Sequence, residues 1–275
     1  MIICTSLVFF LSPDFSNAQI IKSKRKFRPA LITFEFLATY NQPLPNLYGD
    51  VAEFFTFRNY GVQFGYGAQL NIKLSANKKG TNRPYLSLGY ANFIGRDNNR
   101  AYIDSNIIAY GYPLPGSQQY SSTDGKSKIF LHNFNAGVGF EYAFMNKTRW
   151  TAFLGAEVDL NVIFGTYRQD PGTVRGNNPA GEVSFTIKQA ARFGFAVGGG
   201  VQLRIHKNVG FIFSTKYKLT NVLGKDSKRT EASFDLNKMN LLDKSASDLN
   251  TMLNKDRNIN YFEFGLGIAF FAGRR

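Results

Sequence analysis

Apolar and polar residues alternate one for one along most of this chain, and that period of two predicts strands rather than helices. The longest case is Val62 to Leu74. Val62, Phe64, Tyr66, Ala68, Leu70, Ile72 and Leu74 share one face, and Gln63, Gly65, Gly67, Gln69, Asn71 and Lys73 share the other. A strand of ordinary globular length is about five or six residues. A tilted strand that crosses a bilayer needs about ten, so this run has membrane-spanning length.

Seven further segments repeat the pattern. Ile32, Phe34, Phe36, Ala38 and Tyr40 oppose Thr33, Glu35 and Thr39, and a shorter run sets Leu86, Leu88 and Tyr90 against Ser87, Gly89 and Ala91. Phe130, Phe134, Ala136, Val138, Phe140 and Tyr142 oppose Asn133, Asn135, Gly137, Gly139 and Glu141. Ala152, Leu154, Ala156, Val158, Leu160 and Val162 oppose Gly155, Glu157, Asp159 and Asn161. Phe193, Phe195, Val197, Val201, Leu203 and Ile205 oppose Arg192, Gly194, Gly198, Gly200, Gln202 and Arg204. The last two runs set Phe211, Phe213, Thr215, Tyr217 and Leu219 against Ser214, Lys216 and Lys218, and Phe262, Phe264, Leu266, Ile268 and Phe270 against Glu263, Gly265 and Gly267.

Eight strands, an even number, fit an all-β, eight-stranded, antiparallel, up-and-down transmembrane β-barrel with four long extracellular loops. The connections 41–61, 94–129, 165–189 and 220–259 are long, and 75–84, 145–150 and 206–209 are short. In such barrels the short turns and both termini face the periplasm. A soluble sandwich would also alternate, but it leaves no reason for so large an apolar face opposite full charges at mid-strand.

Composition agrees. Aromatic residues make up 15% of the 275 residues, with 27 Phe and 14 Tyr, while mean hydropathy lies slightly below zero. No internal apolar run reaches the roughly 18 residues of a membrane-crossing helix. Residues 1–18 read as a secretory signal. Ile2 to Leu11 is a short apolar core, and Ser16 and Ala18 supply small residues for cleavage before Gln19. The expected division is a signal at 1–18, a basic periplasmic tail at 19–29 and the barrel domain at 30–275. The only cysteine, Cys4, falls in the signal, so no disulfide is expected in the mature chain.

The net charge of +14 sorts by side. The predicted lumen holds Lys73, Arg192, Arg204, Lys216 and Lys218 against Glu35, Glu141, Glu157, Asp159 and Glu263, five cations against five acids. Unpaired charge in a low-dielectric interior is costly, so pairing is expected. The excess collects in a periplasmic basic rim: Lys22, Lys24, Arg25, Lys26 and Arg28 in the tail, Lys78, Lys79, Arg83, Lys147, Arg149 and Lys207 in the short turns, and Arg274 and Arg275 at the end. This rim is suited to the anionic headgroups of the inner leaflet or to an acidic envelope protein. Nucleic acid is not expected as a partner of an exported chain.

The run Tyr261 to Phe271 (YFEFGLGIAFF) resembles the C-terminal strand by which the barrel-assembly machinery recognises outer-membrane proteins. The sequence departs from that pattern by adding Ala272-Gly273-Arg274-Arg275 after the run, so the resemblance does not fix the recognition register. With its eight strands the chain resembles the PorT-like small outer-membrane barrels of the porin family, and more distantly the OmpA and OmpX transmembrane barrel. The resemblance implies residence in the bacterial outer membrane, contact with its lipid, and an accessory role in an envelope complex of the secretion type. A small-solute channel or a lipid-modifying barrel enzyme is the alternative.

Candidate chemistry is sparse. Eight strands enclose a lumen that side chains fill, so open conduction is not expected, and the inward glycines are expected to make room for long neighbours such as Arg192 and Arg204. His132 takes the lipid-facing parity, where lipid A deacylases of the PagL type carry a His and a Ser, but the residue two further on is Phe134. No set of His, Cys and acidic residues has metal-ligand spacing, and Gly198-Gly199-Gly200 is not followed by the Lys-Ser/Thr of a phosphate loop. No catalytic residue and no cofactor is expected. In the last long connection, Met239, Leu242, Ala246, Leu249 and Leu253 recur at helical spacing behind a capping Asp235, which predicts an amphipathic loop helix.

Overall fold

A computed structural model describes residues 28–44, 62–95, 98–99, 126–144, 149–170, 183–223, 238–239 and 259–273. Eight long strands, β1 (Ile32–Pro43), β2 (Val62–Leu74), β3 (Asn82–Gly95), β5 (Lys126–Phe144), β6 (Trp150–Asp170), β7 (Val183–Arg204), β8 (Val209–Leu223) and β10 (Asn260–Ala272), pair antiparallel with their neighbours in sequence. Two short pieces, β4 (Asn98–Asn99) and β9 (Lys238–Met239), add to β5 and β7. β1 pairs with β10 from Ile32–Ala272 to Pro43–Tyr261, so the first and last strands close the cylinder. No helix occurs among the described residues.

The registers fix the dimensions. A hydrogen-bonded row followed once around the barrel returns to β1 displaced by about ten residues. For eight strands about 4.8 Å apart, that stagger gives a tilt of about 40° and a backbone radius of about 8 Å. Each tilted residue then rises about 2.5 Å along the axis, so the 12 residues of β1 span about 30 Å, the thickness of a bilayer core.

The distribution of side chains is inverted relative to a soluble protein. Polar residues outnumber apolar ones among the buried side chains, and large apolar side chains cover the outside. Leu154 is 60% exposed, Val138 61%, Leu266 65% and Phe36 53%, while Glu35, Asn161 and Lys218 are fully buried. The exterior apolar band is on the order of 2,000 Å², several times the largest patch of a typical soluble monomer. This band makes the barrel a membrane-spanning one.

Pattern reading misjudged several ends. β3 begins at Asn82 rather than after Pro84. Pro84 sits near the strand start, where a missing N–H is tolerated. β6 and β7 run to Asp170 and from Val183, well into the connection expected at 165–189. A bulge is the cause: Ile163 pairs with Ala190 but Gly165 with Ile187, so one extra residue of β7 reverses its alternation there.

Candidate functional site: the filled lumen and its rims

The inward residues stack in three tiers. At the turn end, Lys73 Nζ lies 2.7 Å from both Glu35 and Glu141, and the Arg83 guanidinium lies 2.8 Å from Glu141. Arg83 also donates to Gln202 Oε1 at 2.9 Å, Gln202 donates to Glu35, and Asn71 donates to Glu35 at 2.9 Å. Lys73 rests over the Phe153 ring at 4.2 Å. In the middle tier Glu157 accepts from Lys216 (2.7 Å), Ser87 (2.6 Å) and Tyr85 (3.1 Å). Gln69 joins this tier to the next: with its amide turned so that the nitrogen faces Glu263, it donates to Glu263 at 2.6 Å and accepts from Lys216 at 2.7 Å. At the loop end Lys218 pairs with Glu263 at 3.1 Å, Asn161 donates to Asp159 at 3.0 Å, and Asn133 donates to Asn161 at 2.9 Å.

Apolar plugs close both ends. Leu37, Ala143, Phe153 and Ile212 form a cluster at the turn end. At the loop end Phe93 packs edge-on against Tyr261 with centroids 5.0 Å apart, with Leu131, Ile163 and Ile187 buried nearby. Between the plugs a cavity of about 20 Å³ touches Glu35, Lys73, Glu141 and Lys216, room for about one water molecule.

The structure relocates two of the sequence-predicted site residues. Arg83, expected in the periplasmic rim, is buried in the lumen against Glu141. The earlier start of β3 gives it the inward parity of Tyr85 and Ser87. Arg204, expected in the lumen network, lies at the turn-end mouth, its guanidinium 3.9 Å from the Phe271 ring and donating to the Arg28 carbonyl at 2.9 Å. The exchange preserves the balance, and the buried charges are Lys73, Arg83, Arg192, Lys216 and Lys218 against Glu35, Glu141, Glu157, Asp159 and Glu263. Of the inward aromatics, Tyr85, Phe93 and Phe153 were not singled out in the sequence, and Tyr261 and Phe271 only as the ends of the last-strand run. Their only signal was parity with polar neighbours.

The glycines admit other tenants than those expected. A Cβ on Gly137 would lie 2.7 Å from Glu157 Oε1 and 2.8 Å from Ser87 Oγ, and one on Gly139 would meet the Tyr85 ring.

At the turn end Lys78, Lys79, Arg149 and Lys207 are exposed around the mouth, and no acidic residue occurs in 28–31, 75–81, 149, 205–208 or 273. Gly80, at φ 65°, closes the β2–β3 turn, whose Asn77 Oδ1 accepts from the Thr81 amide at 2.9 Å. Lys22, Lys24, Arg25, Lys26, Lys147, Arg274 and Arg275 lie outside the described residues, as does the signal segment 1–18.

At the loop end an aromatic band encircles much of the exterior. Tyr40 stacks on Phe64 at 5.8 Å, Tyr90 lies 4.8 Å from Phe134, and Tyr217 lies 5.7 Å from Phe262. His132 belongs to this band, stacked 5.1 Å from Phe164, with Nδ1 2.7 Å from the Tyr90 hydroxyl. The loop helix is corrected at its start. Met239 lies in β9, which pairs parallel with Thr186 and Ile187 of β7. The projecting edge of β7 offers unpaired backbone groups, and a strand satisfies them where a helix would not. Leu242, Leu249 and Leu253 lie outside the described residues.

No protein-family model and no curated protein matches the chain. Among solved structures it is similar to a major outer membrane protein from Thermus thermophilus, at TM-score 0.43 and 14% identity over 87% of this chain and 98% of that one. It is also similar to neisserial surface protein A, at TM-score 0.41 and 11% identity over 87% and 96%. A third is Ail, the attachment invasion locus protein of Yersinia pestis, solved with the heparin analogue sucrose octasulfate, at TM-score 0.33 and 11% identity over 87% and 95%.

Proposed function

We propose that the chain is an integral protein of the bacterial outer membrane that acts without catalysis, as a structural or binding subunit of an envelope complex of the secretion type. One observation carries this reading: a charge-balanced, plugged interior inside an apolar wall. An eight-stranded barrel whose core is occupied by ion pairs has its surfaces left for work, namely the loop end, the basic turn end and the lipid-facing wall. The short turns and termini face the periplasm, the long connections face outward, and the last strand engages the barrel-assembly machinery during insertion.

Two measurements test the reading. In planar bilayers the reconstituted full-length protein is expected to give no steady conductance, and an ohmic open state would overturn the plugged-lumen argument. Extraction in mild detergent followed by mass spectrometry is expected to recover an envelope protein in stoichiometric amount, reduced when Lys78 and Lys79 are changed to Gln. Recovery of the barrel alone would reject the accessory role.

A further inference from the structure

We propose that Asn92 and His132, a neutral polar pair on the outer wall at the loop end, bind the amide-linked acyl chain of an outer-leaflet glycolipid. The proposal rests on the membrane orientation given above.

One row of the ladder builds the site. Tyr40 of β1, Tyr66 of β2, Asn92 of β3, His132 of β5 and Phe164 of β6 lie opposite one another in turn. Phe93 and Leu131 are buried in the lumen, so by alternation Asn92 and His132 face outward. Both are half-buried. His132 is held on two sides: its ring stacks on Phe164, and its Nδ1 lies 2.7 Å from the Tyr90 hydroxyl. With that hydroxyl donating, Nδ1 is the acceptor and the proton of the neutral imidazole sits on Nε2. Across the row, Asn92 Oδ1 is buried and has no hydrogen-bond partner among the described residues. An acceptor left in that state is costly, so the wall needs a donor from outside the chain.

Depth and hydrogen-bonding capacity then choose the occupant. At the barrel's tilt the row climbs about 3 Å per strand, which puts Asn92 about 26 Å and His132 about 29 Å above the level of Ile32. A hydrocarbon core is about 30 Å thick, so both side chains sit where acyl chains join their headgroups. The ester linkages of a glycerol phospholipid offer acceptors only. They satisfy the His132 Nε2–H but leave Asn92 Oδ1 without a donor. A secondary amide carries an N–H and a C=O together and serves both. The last torsion of an Asn side chain is broad and two-fold, so a turn of the carboxamide brings Oδ1 to the outer surface. Residues directly opposite on one face have Cβ atoms about 5 Å apart, close enough to share a single amide group. Thr166, the next outward residue of β6 beyond Phe164, adds a hydroxyl in the headgroup layer, which suits a sugar. All these contacts are neutral, so the site reads the acyl linkage and not the phosphate.

The experiment uses the full-length chain refolded in detergent micelles, with heat-dependent gel mobility confirming a folded barrel, and native mass spectrometry reading bound lipid. The probes are dephosphorylated lipid A, an analogue of it with both amides replaced by esters, and ceramide. A neutral hydrogen bond is worth about fivefold net, so Asn92→Leu should weaken retention of dephosphorylated lipid A by about fivefold, and Asn92→Leu with His132→Phe by roughly 25-fold. Both substitutions place apolar groups on the lipid face, where they leave the barrel folded. Tyr90→Phe, which removes the hydroxyl that sets the imidazole tautomer, should give an intermediate loss with His132 still in place. Tyr142→Phe, on the outer wall at the opposite end, should change retention by less than about twofold. Equal retention by the native protein and Asn92→Leu, or equal retention of the all-ester analogue, would overturn the proposal. Release of free fatty acid from the bound lipid would overturn it in favour of a hydrolytic site. Equal retention of ceramide would overturn the glycolipid assignment. A native chain that stays monomeric and folded without micelles would overturn the membrane reading itself, a failure separable from loss of the site.

Discussion

Removing Glu141 should unfold the barrel far more readily than removing Glu141 and Arg83 together. Glu141 is 2% exposed and holds two cations at once, Lys73 at 2.7 Å and Arg83 at 2.8 Å. In Glu141→Leu, Lys73 keeps Glu35, but Arg83 keeps only the neutral Gln202 and becomes an uncompensated buried charge. At an effective dielectric constant of about 20 and charge centres about 4 Å apart, each lost contact removes about 4 kcal/mol of Coulomb attraction. Relaxation returns part of this, and deleting one partner of a buried pair typically costs about 3–5 kcal/mol. With a urea slope of about 2 kcal/mol per molar, the midpoint should fall by about 2 M. Glu141→Leu combined with Arg83→Leu restores neutrality and adds apolar volume beside Phe153, so most of the loss should return. Trp150, the single tryptophan, is 56% exposed on the outer wall and reports unfolding from lipid vesicles by its fluorescence. A single variant within about 1 kcal/mol of the native protein, or a double variant no better than the single, would refute the claim that the lumen is held by coupled charge.

Val158→Arg places a charge on the lipid face near the middle of the span of β6 and should cost about 2–4 kcal/mol in vesicle unfolding, whereas a protein with a water-facing wall would lose almost nothing. Gly137→Val forces side-chain atoms against Glu157 and Ser87 and should cost about 1–3 kcal/mol. Unchanged stability there would show that the middle tier has slack.

The strands and their two faces were legible because the pleat has a period of two and the environments on either side differ completely. Val62 to Leu74 is a strand in the structure with the ends read from the sequence. Lumen acids such as Glu35 and Glu157 were found by parity alone, since a mid-strand charge opposite a greasy face has only an interior to occupy. What parity cannot supply is the stagger between strands. Only the registers bring Lys73 of β2, Arg83 of β3 and Glu141 of β5 to one level, residues far apart in the chain. Only the closed cylinder, with a radius of about 8 Å, turns Tyr85 and Phe153 into filling and Gly137 and Gly139 into the space they need. The bulge in β7 hid the outer end of that strand, because one extra residue reverses the alternation that pattern reading depends on. A strand's faces follow from its own residues, while the level at which two strands meet follows from closing the whole ring.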